Sequence, residues 1–391
     1  MAIRYIDELD LVGKRVFIRA DFNVPLKNGA ITDATRIEAA LPTVRHAIAN
    51  GAHVVLASHL GRPKGGPDPK LSLKPVAERL AELLHLQVAL APDCVGAEVE
   101  RLARALGRQD VLLLENLRFH PEEEKNDPGF AKQLAALADV YVDDAFGAAH
   151  RAHASTEGMA RLVPVRAAGL LMKKEVQALS KITGHPERPL VAILGGAKVS
   201  DKIKVIEHLL GKVDTLLVGG AMAYTFLRAQ GAATGDSLVE EDRVDVARQV
   251  LARARDLGVT LHLPTDHLVS TAIDGSAPAE VTTSIGAGKK GVDVGPATVA
   301  RYRDEIAKAR TIFWNGPMGV FEVDAFSKGT MAIADALADS TALTVVGGGD
   351  SIAALSRSGR SADITHISTG GGASLEFLEG RVLPGLAVLE Q

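Results

Sequence analysis

Leu190-Val-Ala-Ile-Leu-Gly-Gly-Ala-Lys-Val-Ser-Asp-Lys202 begins as an unbroken apolar run and turns at once to glycines and lysines. An apolar run without polar alternation reads as a strand covered on both faces, the condition of a strand inside a parallel sheet. Glycines directly after a strand let phosphate oxygens approach backbone N–H groups. Lys198 and Lys202 stand four apart, a spacing that puts both on one face of a helix opening here. Cations at a helix N-terminus oppose its dipole, so an anion is expected beside them. A solvated lysine face is the alternative, and it leaves the glycines without a role.

The same strand-then-turn pattern recurs on either side. Residues 15–20, 53–57, 111–114 and 140–142 read as strands before this stretch, and 215–218, 259–263, 311–314 and 343–346 after it. Segments 34–50, 72–84, 242–257 and 297–308 have the length and patterning of crossover helices. Strands alternating with helices imply a doubly wound α/β architecture. At 391 residues the chain exceeds one ordinary core, given roughly 100–200 residues per domain. A helical pattern over 169–181 followed by Thr183-Gly-His-Pro-Glu-Arg-Pro189 marks the boundary.

Composition narrows the class. With 44 basic and 48 acidic side chains the net charge is −4, which argues against a protein built to coat nucleic acid. The one cysteine, Cys94, excludes an intrachain disulfide, cannot supply a cysteine-based zinc cluster by itself, and reads as a buried structural thiol. There is no apolar run of about 20 residues to span a membrane, and Met1 to Asp10 lacks the apolar core of a signal peptide. A cytoplasmic location is expected.

Ligands of open α/β sheets lie beyond the carboxyl ends of the strands, and there the two halves differ. In the first half the strands run into Arg19-Ala-Asp-Phe-Asn23, Ser58-His-Leu-Gly-Arg62, Glu115-Asn-Leu-Arg-Phe119 and, after Asp143-Asp144, His150-Arg-Ala-His153; Arg36 follows the first of these. Each cluster alone could be a strand-end turn or a solvated arginine. Converging arginines repel one another, so four such clusters make sense around a small, highly charged anion. In the second half the strands run into Gly219-Gly220, Gly347-Gly-Gly349 and Gly370-Gly-Gly372. Several glycine loops in one domain point to a polyphosphate, and Asp350 beside one of them is a hard oxygen ligand suited to Mg²⁺. There is no G-x-x-x-x-G-K-[ST]. Gly286-Ala-Gly-Lys-Lys-Gly291 matches G-x-G-x-x-G only formally, with two lysines in the turn and the next helix not starting before Pro296.

Taken together the motifs resemble the phosphoglycerate kinase family. The matching stretches are RADFNVPL (19–26), SHLGRP (58–63), ENLRF (115–119), DAFGAAHRAH (144–153), LMKKE (171–175), ILGGAKVSDKI (193–203), GGAMAYTFL (219–227), WNGPMGVFE (314–322), GGGDS (347–351) and STGGGASLEFLEG (368–380), in family order over nearly the whole chain. The resemblance implies two Rossmann-like doubly wound domains facing a cleft: 1–168 for phosphoglycerate and 183–375 for nucleotide. The helix 169–182 joins them, and a tail, 376–391, returns to the first. It implies reversible transfer between 1,3-bisphosphoglycerate and ADP giving 3-phosphoglycerate and ATP, with Mg²⁺, in a cytoplasmic monomer with hinge closure.

By the same resemblance Asp21, Phe22, Asn23, Arg36, His59, Leu60, Gly61, Arg62, Arg118 and Arg151 bind the glycerate substrate. Gly196, Ala197, Lys202, Gly219, Gly220, Gly291, Asn315, Glu322, Gly348, Gly349, Asp350 and Ser351 bind the nucleotide, with Asp350 on the metal, Glu322 on the ribose and Gly291 near the adenine. Arg36, Lys198, Gly349 and Gly372 act on the transferred group. The chain departs from the family pattern at Ala148 (usually Thr), Thr265 (usually Val) and Ser351 (usually Thr, the hydroxyl kept), none a proposed catalytic group. Two rivals are weaker: a nicotinamide dehydrogenase lacks its glycine fingerprint, and a non-catalytic binder should have lost Arg36 or Lys198.

Overall fold

The computed structural model describes residues 3–390. The chain divides into two compact units; it passes from the first to the second between Gln177 and Ala178 and rejoins the first at Val382.

The first unit holds β1 (Arg15–Arg19), β2 (Leu26–Lys27), β3 (Ala30–Ile31), β4 (His53–Ala57), β5 (Val88–Leu90), β6 (Val111–Leu113), β7 (Val140–Asp143) and β8 (Val165–Ala168). Its helices are α1 (Thr35–Ala49), α2 (Lys74–Leu84), α3 (Ala97–Arg104), α4 (Pro128–Ala135), α5 (Met159–Leu162) and α6 (Leu170–Thr183), the last of which runs on into the second unit. Six strands form a parallel sheet in the order β5-β6-β4-β1-β7-β8, while β2 and β3 make a short separate hairpin. Ile18, Val54, Leu56 and Val142 pack with Ile37 and Val44 of α1 in one apolar cluster. The strand order reverses direction between β1 and β7, and the loops after β1, β4, β6 and β7 carry the charged motifs.

The second unit contains β9 (Leu190–Leu194), β10 (Thr215–Val218), β11 (Thr260–His262), β12 (His267–Ser270), β13 (Ala279–Thr282), β14 (Lys290–Val294), β15 (Thr311–Asn315), β16 (Leu343–Gly347) and β17 (His366–Ile367). Between and after them lie α7 (Ile203–Leu210), α8 (Met222–Ala229), α9 (Val244–Asp256), α10 (Pro296–Lys308), α11 (Lys328–Ala338), α12 (Gly349–Ser358) and α13 (Gly372–Leu378); α14 (Pro384–Ala387) belongs to the first unit. The main sheet is parallel in the order β11-β10-β9-β15-β16-β17. Every residue of β9, β10 and β15 is buried, as unbroken apolar runs require. The order reverses between β9 and β15, which is where ligands of such sheets bind. An antiparallel sheet, β13-β12-β14, carries Gly291. Among the described residues no helix is long and apolar enough to cross a membrane.

Candidate active site

In the first unit Arg19 ends β1 in register with Ala57 of β4 on one side and Asp143 of β7 on the other. Its guanidinium is buried, donating from Nε to Ser155 Oγ at 2.8 Å and from Nη2 toward His59 Nδ1 at 3.1 Å. A guanidinium has no acceptor, so Nδ1 is the bare nitrogen and the imidazole N–H lies on Nε2. Burial pushes the His59 pKa well down; Asp21 opposes this, while Arg19, Arg118 and Arg36 add to it. His59 is therefore a neutral hydrogen-bond donor held among cations.

The same charges act in reverse on Asp21. Burial opposes its ionisation, but the charges of Arg36 and Arg19 and the Asn23 N–H outweigh burial and hold the carboxyl below its usual range. It forms an ion pair with Arg36 of α1, whose side chain remains 37% exposed. Asn23 donates its N–H to Asp21 Oδ1 at 3.1 Å and accepts at Oδ1 from Gly61 N at 2.9 Å. Phe22 buries its ring and donates its N–H to Ser58 Oγ at 2.8 Å. Leu60 N donates to Asn116 Oδ1 at 3.1 Å, and Asn116 Nδ2 returns a bond to Leu60 O at 2.7 Å. Arg118 donates from Nη1 to Gly61 O at 2.9 Å and pairs with Glu124. Its pKa is lowered by burial, against Glu124 and with Arg19 and Arg151 contributing. These bonds lock the loops after β1, β4 and β6 into one cationic surface. Arg62 and Arg151 stand exposed, Arg151 bonded through Nε to His150 Nε2 at 3.1 Å.

A buried carboxylate beneath this surface, Glu123, escapes the sequence reading. Glu123 accepts from Ser155 N at 2.9 Å and from Ser155 Oγ, so it supports the same serine that holds Arg19. It lies in the run Glu122-Glu-Glu124, which looks like a solvated turn and gives no signal of burial. His153, depressed to about 4 by burial and then by Arg19, Arg118, Arg151 and His150, is a second neutral imidazole.

In the second unit Lys198 and Lys202 do not lie on the first turns of a helix. Helix α7 starts at Ile203, and both lysines belong to the loop before it, where Lys202 N donates to Val199 O at 2.9 Å. That loop brings them to the mouth of a cavity of about 420 Å³ at the β9/β15 reversal, with Gly196, Asn315, Gly349 and Asp350 also on its wall. Lys202 Nζ donates to Asn315 Oδ1, and Asn315 Nδ2 donates to Gly347 O at 2.7 Å. Burial lowers the pKa of Lys202, against Asp201 and Asp350. Ala197, Gly348, Ser351 and Gly372 line the same cavity. A second hollow of about 240 Å³ shares Gly196, Ala197 and Asp350 with the first and adds Gly220, Gly291 and Glu322. Tyr224 and Met318 form its apolar wall, a role no motif announced.

The glycines divide into two kinds. A Cβ on Gly195 would meet Pro317 O at 2.1 Å, and one on Gly219 would meet Met318 Sδ at 2.3 Å. Gly220, at φ +67°, would meet the Gly196 backbone at 2.5 Å. These three let loops pack against one another, and Gly219 is buried behind Met318 rather than lining either hollow. Gly196, Gly349, Gly371 and Gly372 have nothing within 4 Å of an added Cβ, so they face open space. Gly349 begins α12, whose first-turn N–H groups have no intrahelical acceptor. Gly370 N is already engaged by Ser368 Oγ at 3.3 Å.

The family model for phosphoglycerate kinase matches residues 6–381. Among similar curated proteins, a phosphoglycerate kinase from Anaeromyxobacter sp. (strain Fw109-5) is 59% identical over 395 residues, and one from Anaeromyxobacter sp. (strain K) 60% identical over 396, each comparison covering 100% of both chains. The phosphoglycerate kinase structure from Coxiella burnetii superposes with a TM-score of 0.92 at 44% identity, covering 99% of each chain. That from Pyrococcus horikoshii OT3 superposes at 0.85 and 36% identity, covering 99% of this chain and 98% of the other.

Proposed function

The chain belongs to the phosphoglycerate kinase family and is a kinase of glycolytic phosphoryl transfer; on that premise we propose that it moves a phosphoryl group reversibly between 1,3-bisphosphoglycerate and ADP, giving 3-phosphoglycerate and ATP. The observation that carries the reading is the open cavity at the β9/β15 reversal, with free glycine edges, two lysines and a carboxylate on its wall. A nucleotide polyphosphate needs close backbone approach, cations and a metal-binding oxygen, and all three are there.

The acceptor toward ATP is a carboxylate, ionised at neutral pH, so no general base is needed. Rate then comes from alignment and from stabilising charge on the transferred group. Lys198, Arg36 and the N–H groups at Gly349 and Gly372 are suited to that task. Asp21, Asn23, His59, Arg62, Arg118 and Arg151 hold the glycerate end, with His59 offering Nε2–H to an anionic oxygen. The metal arrives with the nucleotide, and Asp350, exposed in the first turn of α12, fits it as a hard oxygen ligand. Bound there, Mg²⁺ would supply charge neutralisation at the phosphates. Glu322 and Gly291 receive the ribose and adenine in the smaller hollow. With one ligand on each unit, transfer requires closure that brings them in line and excludes water. The enzyme works as a cytoplasmic monomer on small molecules, without nucleic acid or membrane partners.

Separate titrations with MgADP and with 3-phosphoglycerate test this division. Lys202→Ala should weaken MgADP by about tenfold or more, the worth of a charged hydrogen bond, and leave 3-phosphoglycerate unchanged. Arg62→Ala should do the reverse. Crossed effects, or none, overturn the assignment.

A further inference from the structure

Outside the site just described, one cluster has the donors of a metal centre. Asp93 and Cys94 lie in the loop between β5 and α3, and His120 follows the turn after β6. The strands β5 and β6 are neighbours in the sheet, so its topology brings the two loops together. One potential ligand atom from each of the three residues lies within 4.8 Å of the others. His120 Nε2 is 2.7 Å from Asp93 Oδ1, and that oxygen also accepts from Cys94 N at 2.7 Å. The His120 ring is stacked on Phe130, with centroids 5.1 Å apart, which fixes its orientation. Cys94 is buried, yet the Asp93 and His120 side chains are 47% and 29% exposed, leaving one side open to an entering ion.

We propose that Asp93, Cys94 and His120 form a binding site for a soft divalent cation of the zinc class, separate from the magnesium carried by the nucleotide. One thiolate, one carboxylate and one neutral imidazole balance a dication to zero net charge, which makes a half-buried ion tolerable. Thiolate and imidazole select against magnesium and calcium. Donors around a tetrahedral zinc stand roughly 3.3–3.7 Å apart, given metal–ligand bonds of about 2.0–2.3 Å. The Asp93–His120 pair must open from 2.7 Å, and donors no more than 4.8 Å apart must close by about 1.5 Å at most, within the reach of side-chain rotation. On binding, the thiol proton leaves to solvent and the imidazole carries its N–H on Nδ1. Solvent fills the fourth position. The ion would brace the loop that carries Arg118, two residues before His120.

The test is cobalt titration of the full-length protein after dialysis against chelator, with zinc affinity measured by competition against a chromophoric chelator. Expected are one tightly bound Co²⁺, a sulfur-to-cobalt charge-transfer band, and its displacement by stoichiometric Zn²⁺. His120→Gln and Cys94→Ser should each abolish the band and weaken zinc about tenfold or more, with unchanged circular dichroism. Cobalt bound without the band would assign it to the nucleotide site and overturn the proposal. So would a band or zinc affinity that survives in His120→Gln. Should Cys94→Ser fail to fold, the part-exposed His120 variant decides.

Discussion

Arg19 and His59 show how a single buried contact sets the chemistry of a binding surface. Because Nδ1 faces a guanidinium, His59 is fixed as a neutral Nε2–H donor, and its low pKa links stability to pH. In the unfolded chain the imidazole titrates near its ordinary 6.5. Below that pH the unfolded state binds a proton that the native state refuses, so His59 makes stability fall as pH drops. His59→Gln removes this term. The stability difference between the two proteins should shift in the variant's favour from pH 7.5 to 5.5, by at most ~1.4 kcal/mol per pH unit. Urea denaturation at the two pH values measures it, and a pH-independent difference contradicts the neutral assignment. The glycines allow an equally local test. Gly220→Ala places a Cβ 2.5 Å from the Gly196 backbone at φ +67° and should cost about 3 kcal/mol. Gly349→Ala meets open space and should alter stability by less than ~0.5 kcal/mol while weakening nucleotide binding. Equal destabilisation by both would mean that the open and packed glycines are not distinct.

Among the elements, helix α6 depends on a residue from another loop. Asp144 Oδ1 accepts from Leu171 N at 2.9 Å and Met172 N at 3.0 Å, capping the helix from outside. Burial raises this carboxyl to about 6, against its bonds to Thr43, Met172 and Leu171. Asp144→Ala leaves two buried N–H groups unmet and should destabilise the first unit by about 2 kcal/mol; Asp144→Asn, which keeps an acceptor, should lose much less. Scanning calorimetry of both variants checks this. Most strands legible in the sequence are those whose surroundings are uniform; the edge strand β11, with Thr260 exposed, is legible through the flanking Val259 and Leu263. β9 is apolar from end to end, and β4 and β10 are apolar after a single polar first residue, because all three are interior. β5 and β8, at the sheet edges, are short and only partly buried, β13 has no buried residue, and β12 and β14 carry His267, Lys290 and Asp293 among their apolar residues, so none gives a clean apolar run. Strand-end side chains such as Asp21 and Asn23 can be named because chain order puts them at the carboxyl edge, whereas Asn315 comes only from the family resemblance. What supports them cannot be named: the Arg19 contacts to His59 and Ser155 span 40 and 136 residues, and the Ser155–Glu123 bond spans 32. The helix begins only at Ile203, because Ser200 donates to Glu240 from N at 3.1 Å and from Oγ at 2.6 Å and so holds the lysines in a loop that their spacing disguises as a turn of helix.

For the whole molecule, the proposal assigns the two substrates to different units of one chain. Arg36 belongs to the first and Lys198 to the second, though both act on the same phosphoryl group in the proposed reaction. MgATP and 3-phosphoglycerate together should then reduce the radius of gyration more than either does alone. Small-angle scattering without that synergy would count against closure. The central claim is that this chain transfers phosphoryl groups by charge stabilisation from residues on both units, without a general base. Its most direct test is the rate of 1,3-bisphosphoglycerate formation from 3-phosphoglycerate and ATP, read through its reduction by NADH, for the native protein, Arg36→Ala and Lys198→Ala. The native protein should oxidise NADH only with both substrates and Mg²⁺ present. Each variant should lose about two to three orders of magnitude in kcat while binding its own unit's ligand within about tenfold. Near-native turnover in either variant would contradict the claim.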